Sequence, residues 1–335
     1  MRQGEEDISI MKKIALIGAG QLGSRHLQAL AKIDIPLILQ VVDPNKDCLK
    51  VARERYLEIQ DNDNIDHIDF LTEIDGLNSN LDLCIIATNA DIRFKVFQEL
   101  VSKKKVAYIV FEKILFQSDQ QFNDAKELIN QNGISCWVNC PRRIFPIYKQ
   151  LREILAVDRK INLQVSGGDW GVACNAIHFI DLLAFLSQDT SYKLDITDLD
   201  PSVRQSKRKG FIEVTGKITG LFSNGSRIEL ESIAGSEEPT RISINNSQVK
   251  VVLDESRGVA KISKEENNWN EEVSEFNVPF QSELTHLAAK EILEGGTCQL
   301  TGFNESSLLH QPFLEAIKKH IEIFEHRKYD CCPIT

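Results

Sequence analysis

Three glycines set the first question this chain raises. In KKIALIGAGQLGSRHLQAL, Lys12 to Leu30, Gly18, Gly20 and Gly23 stand between a short apolar run and a helical pattern. In a strand–turn–helix unit the first glycine makes the tight turn. The second lets a pyrophosphate approach the backbone, and the third lets helix and strand pack closely. The free N–H groups that open the helix, those of Gln21, Leu22 and Gly23, and the helix dipole favour phosphate charge. Asp43 stands 20 residues after Gly23, at the end of the next apolar run, where a carboxylate accepts hydrogen bonds from adenine ribose hydroxyls. That position favours NAD over NADP, although Lys46 close by offers a 2′-phosphate a partner. The glycine spacing alone would equally describe a flexible turn. Here strand, helix and acid coincide.

The elements that would carry these residues alternate through the first half. KKIALIG is an apolar run of strand type, and Leu22, Leu27, Leu30 and Ile33 after the glycines keep helical spacing. IPLILQVVD is a second buried strand, followed by a helix over 46–56; LDLCIIAT is a strand ending near Thr88 and Asn89. A helix over 91–103, the strand KVAYIVFEK, a helix over 118–131 and the strand ISCWVNC complete the pattern. Such a repeat predicts an α/β Rossmann fold, a doubly wound parallel sheet with helices on both faces. From about residue 159 alternating strands with turns such as SNGS and INNS predict an α+β domain with an open, largely antiparallel sheet, completed by helices over 174–187, 281–294 and 305–327. Residues 1–11 read as an N-terminal extension, 12–140 as the NAD(P)-binding Rossmann domain and 141–335 as the α+β substrate and oligomerisation domain. The charged segment SKEENNWNEE reads as an exposed hairpin whose Trp269 is free to meet a neighbouring subunit or a substrate.

At 335 residues the chain is long enough for two domains, and its net charge of −10 with no long basic block argues against a nucleic-acid or anionic-membrane partner. No window approaches the roughly 20 apolar residues of a membrane span, and the acidic start does not read as a signal peptide. A cytoplasmic protein is expected. The eight cysteines show no paired CxxC spacing, so no metal site is expected and most read as buried thiols in a reducing compartment. Cys136 and Cys140 fall in a core strand; the adjacent Cys331 and Cys332 look the most exposed.

Across residues 12–330 the chain resembles the glucose-fructose oxidoreductase and inositol dehydrogenase family (Gfo/Idh/MocA). IGAGQLGSRHLQAL resembles its nucleotide loop, and CIIATNADIRF its strand-end Ala-Thr segment, with Arg93 and Phe94 where the family usually has a histidine. VFEKILF resembles the family's Glu-Lys-Pro motif with Ile114 in place of proline, a residue that there accompanies a special backbone turn. The resemblance implies that Glu112 and Lys113 meet the nicotinamide end and that Lys113 reaches the substrate hydroxyl. VNCPRRIFP resembles the Asn-x-x-Arg segment, with Asn139 and Arg142 at the domain junction. GGDWGVACNAIHFIDLLAFL is similar to the helix that carries an Asp, a His four residues later and an Asp three after that; His178 and Asp181 match, and Cys174 replaces the first Asp, with Asn175 beside it. Positions 174, 178 and 181 share a helix face, as do 175 and 178, so a polar partner on that face can orient the His178 ring. A thiol is a poor substitute for a carboxylate in that task.

The resemblance implies hydride transfer between a nicotinamide and a carbinol carbon of a sugar, inositol or nucleotide sugar, a reaction with a place in surface-polysaccharide biosynthesis. Removing a hydroxyl proton as hydride leaves requires a base and a group that stabilises developing negative charge. His178 is the candidate acid/base and Lys113 the candidate cation, with Arg142, Cys174, Asn175 and Asp181 around the substrate. Each has a plainer reading: Lys113 as a solvated strand-end lysine, His178 as a core histidine among apolar neighbours, Asp181 as an ordinary acid, Arg142 and Arg143 as salt-bridge partners. Two alternatives stand beside the dehydrogenase, a non-catalytic dinucleotide-binding sensor and an NAD-cycling lyase or hydrolase. In the family the open sheet often packs on a second subunit, which implies a homodimer or homotetramer.

Overall fold

A computed structural model describes residues 11–59 and 62–335, so the expected extension, apart from Met11, lies outside the described residues. The first half runs β1 (Lys12–Ile17), α1 (Gln21–Leu30), β2 (Leu37–Val42), α2 (Lys46–Leu57), β3 (Ile65–Leu71), β4 (Asn80–Ile86), α3 (Ala90–Lys103), β5 (Lys105–Phe111), α4 (Asp119–Asn132) and β6 (Ser135–Val138). The second half runs α5 (Pro146–Ile154), β7 (Asn162–Gly168), α6 (Val172–Ser187), β8 (Tyr192–Asp195), β9 (Leu199–Gln205), β10 (Ile212–Phe222), β11 (Arg227–Ile233), β12 (Arg241–Asn245), β13 (Val249–Asp254), β14 (Val259–Lys264), β15 (Glu271–Glu275), α7 (Thr285–Gly295), β16 (Thr301–Gly302) and α8 (Phe303–Glu325).

The first sheet has the order β16-β6-β5-β4-β1-β2-β3 and is parallel throughout β3 to β6. Its inner strands are apolar on both sides because helices cover both faces, and Ala15, Leu83, Ile86, Ile109 and Phe111 are fully buried. The strand order reverses between β1 and β4, and a crevice opens there at the carboxyl ends of the strands. The second sheet runs β15-β14-β13-β12-β7-β11-β10-β8, with β9 on β10; only β7 and β11 pair in parallel. One of its faces is core, as the buried-exposed alternation of β11 to β13 requires. Helix α6 packs on β10 and β11, and α8 on β8 and β9. The opposite face is open and largely polar, with Leu221 and Val252 among its exposed apolar side chains.

Three departures from the sequence reading bear on the site. Strands β3, β8 and β9 and helix α5 were not expected. The chain returns to the nucleotide-binding sheet late: the two residues of β16 pair antiparallel with β6, and α7 packs against α1. The C-terminal segment is also docked. Cys332 donates its N–H to the Gln117 carbonyl, Gln117 donates to the Ile334 carbonyl, and the Thr335 hydroxyl accepts from the Ala90 N–H. Cys332 is therefore fully buried, contrary to the expectation of exposure, while Cys331 is half-buried. All eight cysteines are free thiols, with Cys136 and Cys140 in the core. The segment around Trp269 is a hairpin between β14 and β15, and the Lys250 ammonium lies 4.6 Å from the Trp269 ring centre.

Candidate active site

The nucleotide loop assigns each glycine its own job. Gly18 has φ +96°, and a Cβ there would come within 2.9 Å of the Ala87 and Thr88 backbone, so the turn passes hard against the end of β4. A Cβ on Gly23 would lie 1.8 Å from the Gly18 carbonyl oxygen, which leaves glycine as the residue that permits this helix–strand contact. Gly20 faces open space, with nothing within 4 Å of a Cβ built on it. Helix α1 starts at that point with no side-chain cap, so its first N–H groups are left for a ligand. The Gln21 side chain and carbonyl accept from Arg55, which anchors α2 to the same turn.

Beside this turn lies a cleft of about 570 Å³ lined by Gly18, Gly20, Asp43, Thr88 and Asn89. The Asp43 carboxylate accepts from the Ala19 N–H at 2.7 Å and the Asn45 N–H at 2.8 Å, which aims it across the loop and leaves lone pairs for a ribose. Thr88 Oγ1 is buried with no hydrogen-bond partner among the described residues. An open glycine cradle, an uncapped helix start and an orphaned hydroxyl fit a dinucleotide.

The segment after β5 carries the next residues. Glu112 is buried; its carboxylate accepts from Asn139 and the Lys113 N–H and pairs with His26 Nε2 at 2.8 Å. Burial pushes this carboxyl up, but the His26 hydrogen bond and charge, with Asn139 and Arg93, outweigh it and hold Glu112 below the ordinary carboxylate range. His26 Nδ1 meets the Thr285 hydroxyl at 2.8 Å, and Asn139 also donates to Gln281, so this buried network ties α1 to the start of α7. The Glu112 carboxylate is thus occupied inside the protein rather than free to meet a nicotinamide. The Lys113–Ile114 peptide is cis, and Ile114 is fully buried. Arg93, also buried, donates to the carbonyls of Thr88, Ile114 and Leu115 and so clamps the ends of β4 and β5 together; burial brings it down to about 10.

Lys113 is half-buried and donates from Nζ to the Cys174 carbonyl at 2.9 Å, in the first turn of α6. Burial lowers its pKa; Cys174 and Glu112 pull it back, and the charge of Arg208 adds to the lowering. One turn further along α6 lies His178, also half-buried, whose Nδ1 has no hydrogen-bond partner among the described residues. Burial, then the cations Lys113 and Arg142, hold its imidazole well below the usual histidine range. It is neutral at physiological pH.

Neither candidate orienter of His178, Cys174 or Asn175, bonds its ring. Asn175 donates to the Trp170 carbonyl at 2.9 Å, and Cys174 Sγ lies 3.6 Å from the Ser206 hydroxyl. Burial, with the nearby Glu213 carboxylate, raises the Cys174 thiol to about 11, so it is protonated. Two further expectations are corrected. Asp181 is 1% exposed; Arg143 takes both its oxygens, at 2.8 and 2.9 Å, and Thr301 donates to it, so it braces the core instead of facing a substrate. Arg142 is held by Glu255 at 3.0 and 2.6 Å and lies over the Phe179 ring, so its charge is already matched.

Glu213, on β10, escaped the sequence reading. Its carboxylate accepts from the N–H groups of Ala173 and Cys174 at 2.5 and 3.3 Å, capping α6 from a distant strand. Nothing in FIEVTG marks a strand acid for that task. Among the described residues no cluster of three or more His, Cys, Asp or Glu suits a metal ion, and no helix is long and apolar enough to cross a membrane.

Residues 12–140 match the model of the GFO_IDH_MocA family, described as an oxidoreductase family with an NAD-binding Rossmann fold. No curated protein matches the sequence. Solved structures share the fold over nearly the whole chain. UDP-N-acetylglucosamine 3-dehydrogenase from Acidithiobacillus ferrooxidans aligns with 15% identity and a TM-score of 0.68, over 94% of this chain and 99% of the other. A Gfo/Idh/MocA family oxidoreductase from Vibrio cholerae gives 19% identity and a TM-score of 0.67, over 94% and 100%. A super-repressor mutant of Gal80p from Saccharomyces cerevisiae gives 12% and 0.70, over 93% and 96%.

Proposed function

We propose, from the premise that residues 12–140 belong to the Gfo/Idh/MocA oxidoreductase family with its NAD-binding Rossmann fold, that this protein transfers hydride between NAD and a carbinol carbon of a sugar, inositol or nucleotide sugar. The observation that carries the proposal is the hydrogen bond from Lys113 Nζ to the Cys174 carbonyl. It sets a cation at the strand end beside the dinucleotide cleft, one helical turn from a neutral His178. The nicotinamide of NAD, when bound, supplies the hydride acceptor. Gly18, Gly20 and the first turn of α1 would hold the pyrophosphate, Asp43 the adenine ribose, and Thr88 and Asn89 the nicotinamide half. Lys113 donates a hydrogen bond to the substrate hydroxyl oxygen and stabilises the charge that grows there as the C–H bond breaks. His178 arrives neutral and accepts the hydroxyl proton, leaving a carbonyl; in the reducing direction it returns that proton.

The test is a titration with NADH and NADPH by fluorescence, followed by a panel of sugars, inositols and nucleotide sugars read by absorbance of the reduced nicotinamide. Lys113→Met and His178→Asn are each expected to lose at least about 100-fold in turnover while binding NADH as the parent does. Parental turnover in either variant removes that residue from the mechanism.

One observation favours a second reading. His178 Nδ1 has no partner among the described residues to orient the ring, as a protein that binds dinucleotide without turning over substrate would tolerate. NADH binding with no turnover across the panel selects that sensor. For assembly, the open face of the second sheet would meet a second copy, giving a homodimer or homotetramer in the cytoplasm; a monomer in sedimentation velocity excludes it.

A further inference from the structure

The loop between β9 and β10 reads SKRKG and sets Lys207, Arg208 and Lys209 side by side in a chain of net charge −10. None of the three has a carboxylate partner among the described residues, whereas Arg204, just before them, pairs with Asp169 at 2.8 Å. The loop has a defined shape. Ser206 donates its N–H to the Phe211 carbonyl at 2.8 Å, Phe211 donates to the Arg208 carbonyl at 3.2 Å, and the Phe211 ring is buried. The Ser206 hydroxyl accepts from the Arg208 N–H at 3.4 Å and lies 3.6 Å from Cys174 Sγ. Cys174 in turn holds Lys113 through its carbonyl. Three contacts of 3.4, 3.6 and 2.9 Å therefore connect the backbone of Arg208 to the Lys113 ammonium, and Arg208 is exposed.

Charge accounting gives this placement its meaning. Three acids around this part of the fold are engaged: Glu112 by His26 and Asn139, Asp181 by Arg143, and Glu213 by the first N–H groups of α6. The family's acid is replaced by Cys174, a neutral thiol. Among the described residues the side-chain hydrogen bonds of Lys113 and Arg93 go to carbonyls alone, while the Glu112 charge reaches both. Both feel the positive charge of Arg208. The exposed Arg208, by contrast, has no carboxylate partner among the described residues, so its charge is left for a ligand.

We infer that the substrate carries an anionic group, a carboxylate or a phosphate, and that Arg208 is the residue that recognises it while the carbinol carbon sits at Lys113 and His178. This rests on the dehydrogenase reading above and narrows its substrate class. A planar guanidinium offers two parallel donors to such a group, which a lysine cannot.

The experiment uses the full chain saturated with NADH, whose binding is measured first; failure at that step refutes the dinucleotide reading and not this one. D-glucose, D-glucuronate and D-glucose 6-phosphate are then titrated calorimetrically. At least one of the two anions should bind at least ten times more tightly than glucose, and which one it is separates carboxylate from phosphate recognition. Arg208→Gln should weaken that anion at least tenfold with NADH affinity unchanged. The double variant Lys207→Gln, Lys209→Gln removes more charge from the same loop and should change it less than threefold. Equal binding of glucose, binding of neither anion, an unaffected Arg208→Gln, or a double variant as weak as Arg208→Gln would each overturn the assignment.

Discussion

Exchanging Gly20 and Gly23 for alanine, one at a time, separates two jobs that the same loop performs. Gly20 has φ −63° and ψ −166°, an extended conformation open to alanine, and a Cβ there meets nothing within 4 Å. Gly20→Ala should leave stability within about 0.5 kcal/mol, a shift in melting temperature of no more than about 2 °C. The methyl group nevertheless fills the space through which a pyrophosphate approaches the N–H groups of α1. Losing one charge-assisted hydrogen bond costs about 1.5–3 kcal/mol, which weakens NADH by roughly 10- to 150-fold. Gly23→Ala is different, because its Cβ would sit 1.8 Å from the Gly18 oxygen, far inside the 3.0 Å that real Cβ atoms keep. Helix and turn must part, at an overpacking cost of about 1–3 kcal/mol, and the phosphate cradle shifts with them. Gly23→Ala should thus melt several degrees lower and also bind NADH weakly. Fluorescence titration and thermal melting on the two variants give four numbers. Parental NADH affinity in Gly20→Ala would refute the pyrophosphate position, and unchanged melting in Gly23→Ala would refute the close-packing argument.

Other outcomes follow from the same contacts. Asp181→Asn leaves Arg143 buried with Glu305 as its remaining acid and should cost about 3–5 kcal/mol in urea denaturation, while NADH affinity holds; a loss of turnover without a loss of stability would return Asp181 to the substrate. Glu112 has a folded pKa below its unfolded one, so the stability it contributes is present above the unfolded value and is lost as pH falls through the folded one. Denaturation midpoints of the parent should therefore fall on acidification below the ordinary carboxylate range, and Glu112→Gln should flatten that slope; an equally steep slope in the variant would assign it to other acids. Asp43→Ala removes both the ribose acceptor and the tether to Ala19, and parallel titrations should show NADH weakened about tenfold with its advantage over NADPH narrowed. A thiol reagent on the native protein should spare Cys84, Cys136, Cys140 and Cys332, and rapid labelling of Cys332 would show that the C-terminal segment undocks.

The inner strands could be read from sequence because helices cover both their faces, which leaves near-continuous apolar runs in β1, β2, β4 and β5. Strand β3 could not: IDHIDFL lies at the sheet edge with every residue at least partly exposed, so no run or strict alternation marks it. Strand β9 contains Pro201 and is mostly exposed, and the two residues of β16 are too few for any pattern. The order of Gly18, Asp43, Lys113 and His178 along the chain was enough to gather a candidate site. What the sequence did not disclose is which charges are already spent. Arg142 finds Glu255 113 residues away, and Asp181 finds Arg143 38 residues back. Pairs of that range depend on how two sheets and α6 meet, and no local spacing encodes them.

The replacement of an acid by Cys174 then takes on a specific meaning. A carboxylate at that position would sit beside the Glu213 carboxylate at the start of α6, where Glu213 already accepts from the N–H groups of residues 173 and 174. Two carboxylates in one partly buried space repel, and one would take up a proton. With a thiol at 174, the helix start is satisfied from β10 alone, and Lys113 keeps its bond to the Cys174 carbonyl. The consequence is electrostatic. The exposed Arg208 has no carboxylate partner among the described residues, its charge reaches Lys113 and Arg93, and His178 is held neutral. On the proposed dehydrogenase reading, the neutral His178 would accept the hydroxyl proton of a substrate that brings its own negative charge to Arg208. A thiol at 174 and the cationic loop that touches it through Ser206 belong to one proposed arrangement, and exchange of Arg208 tests the loop's part in it.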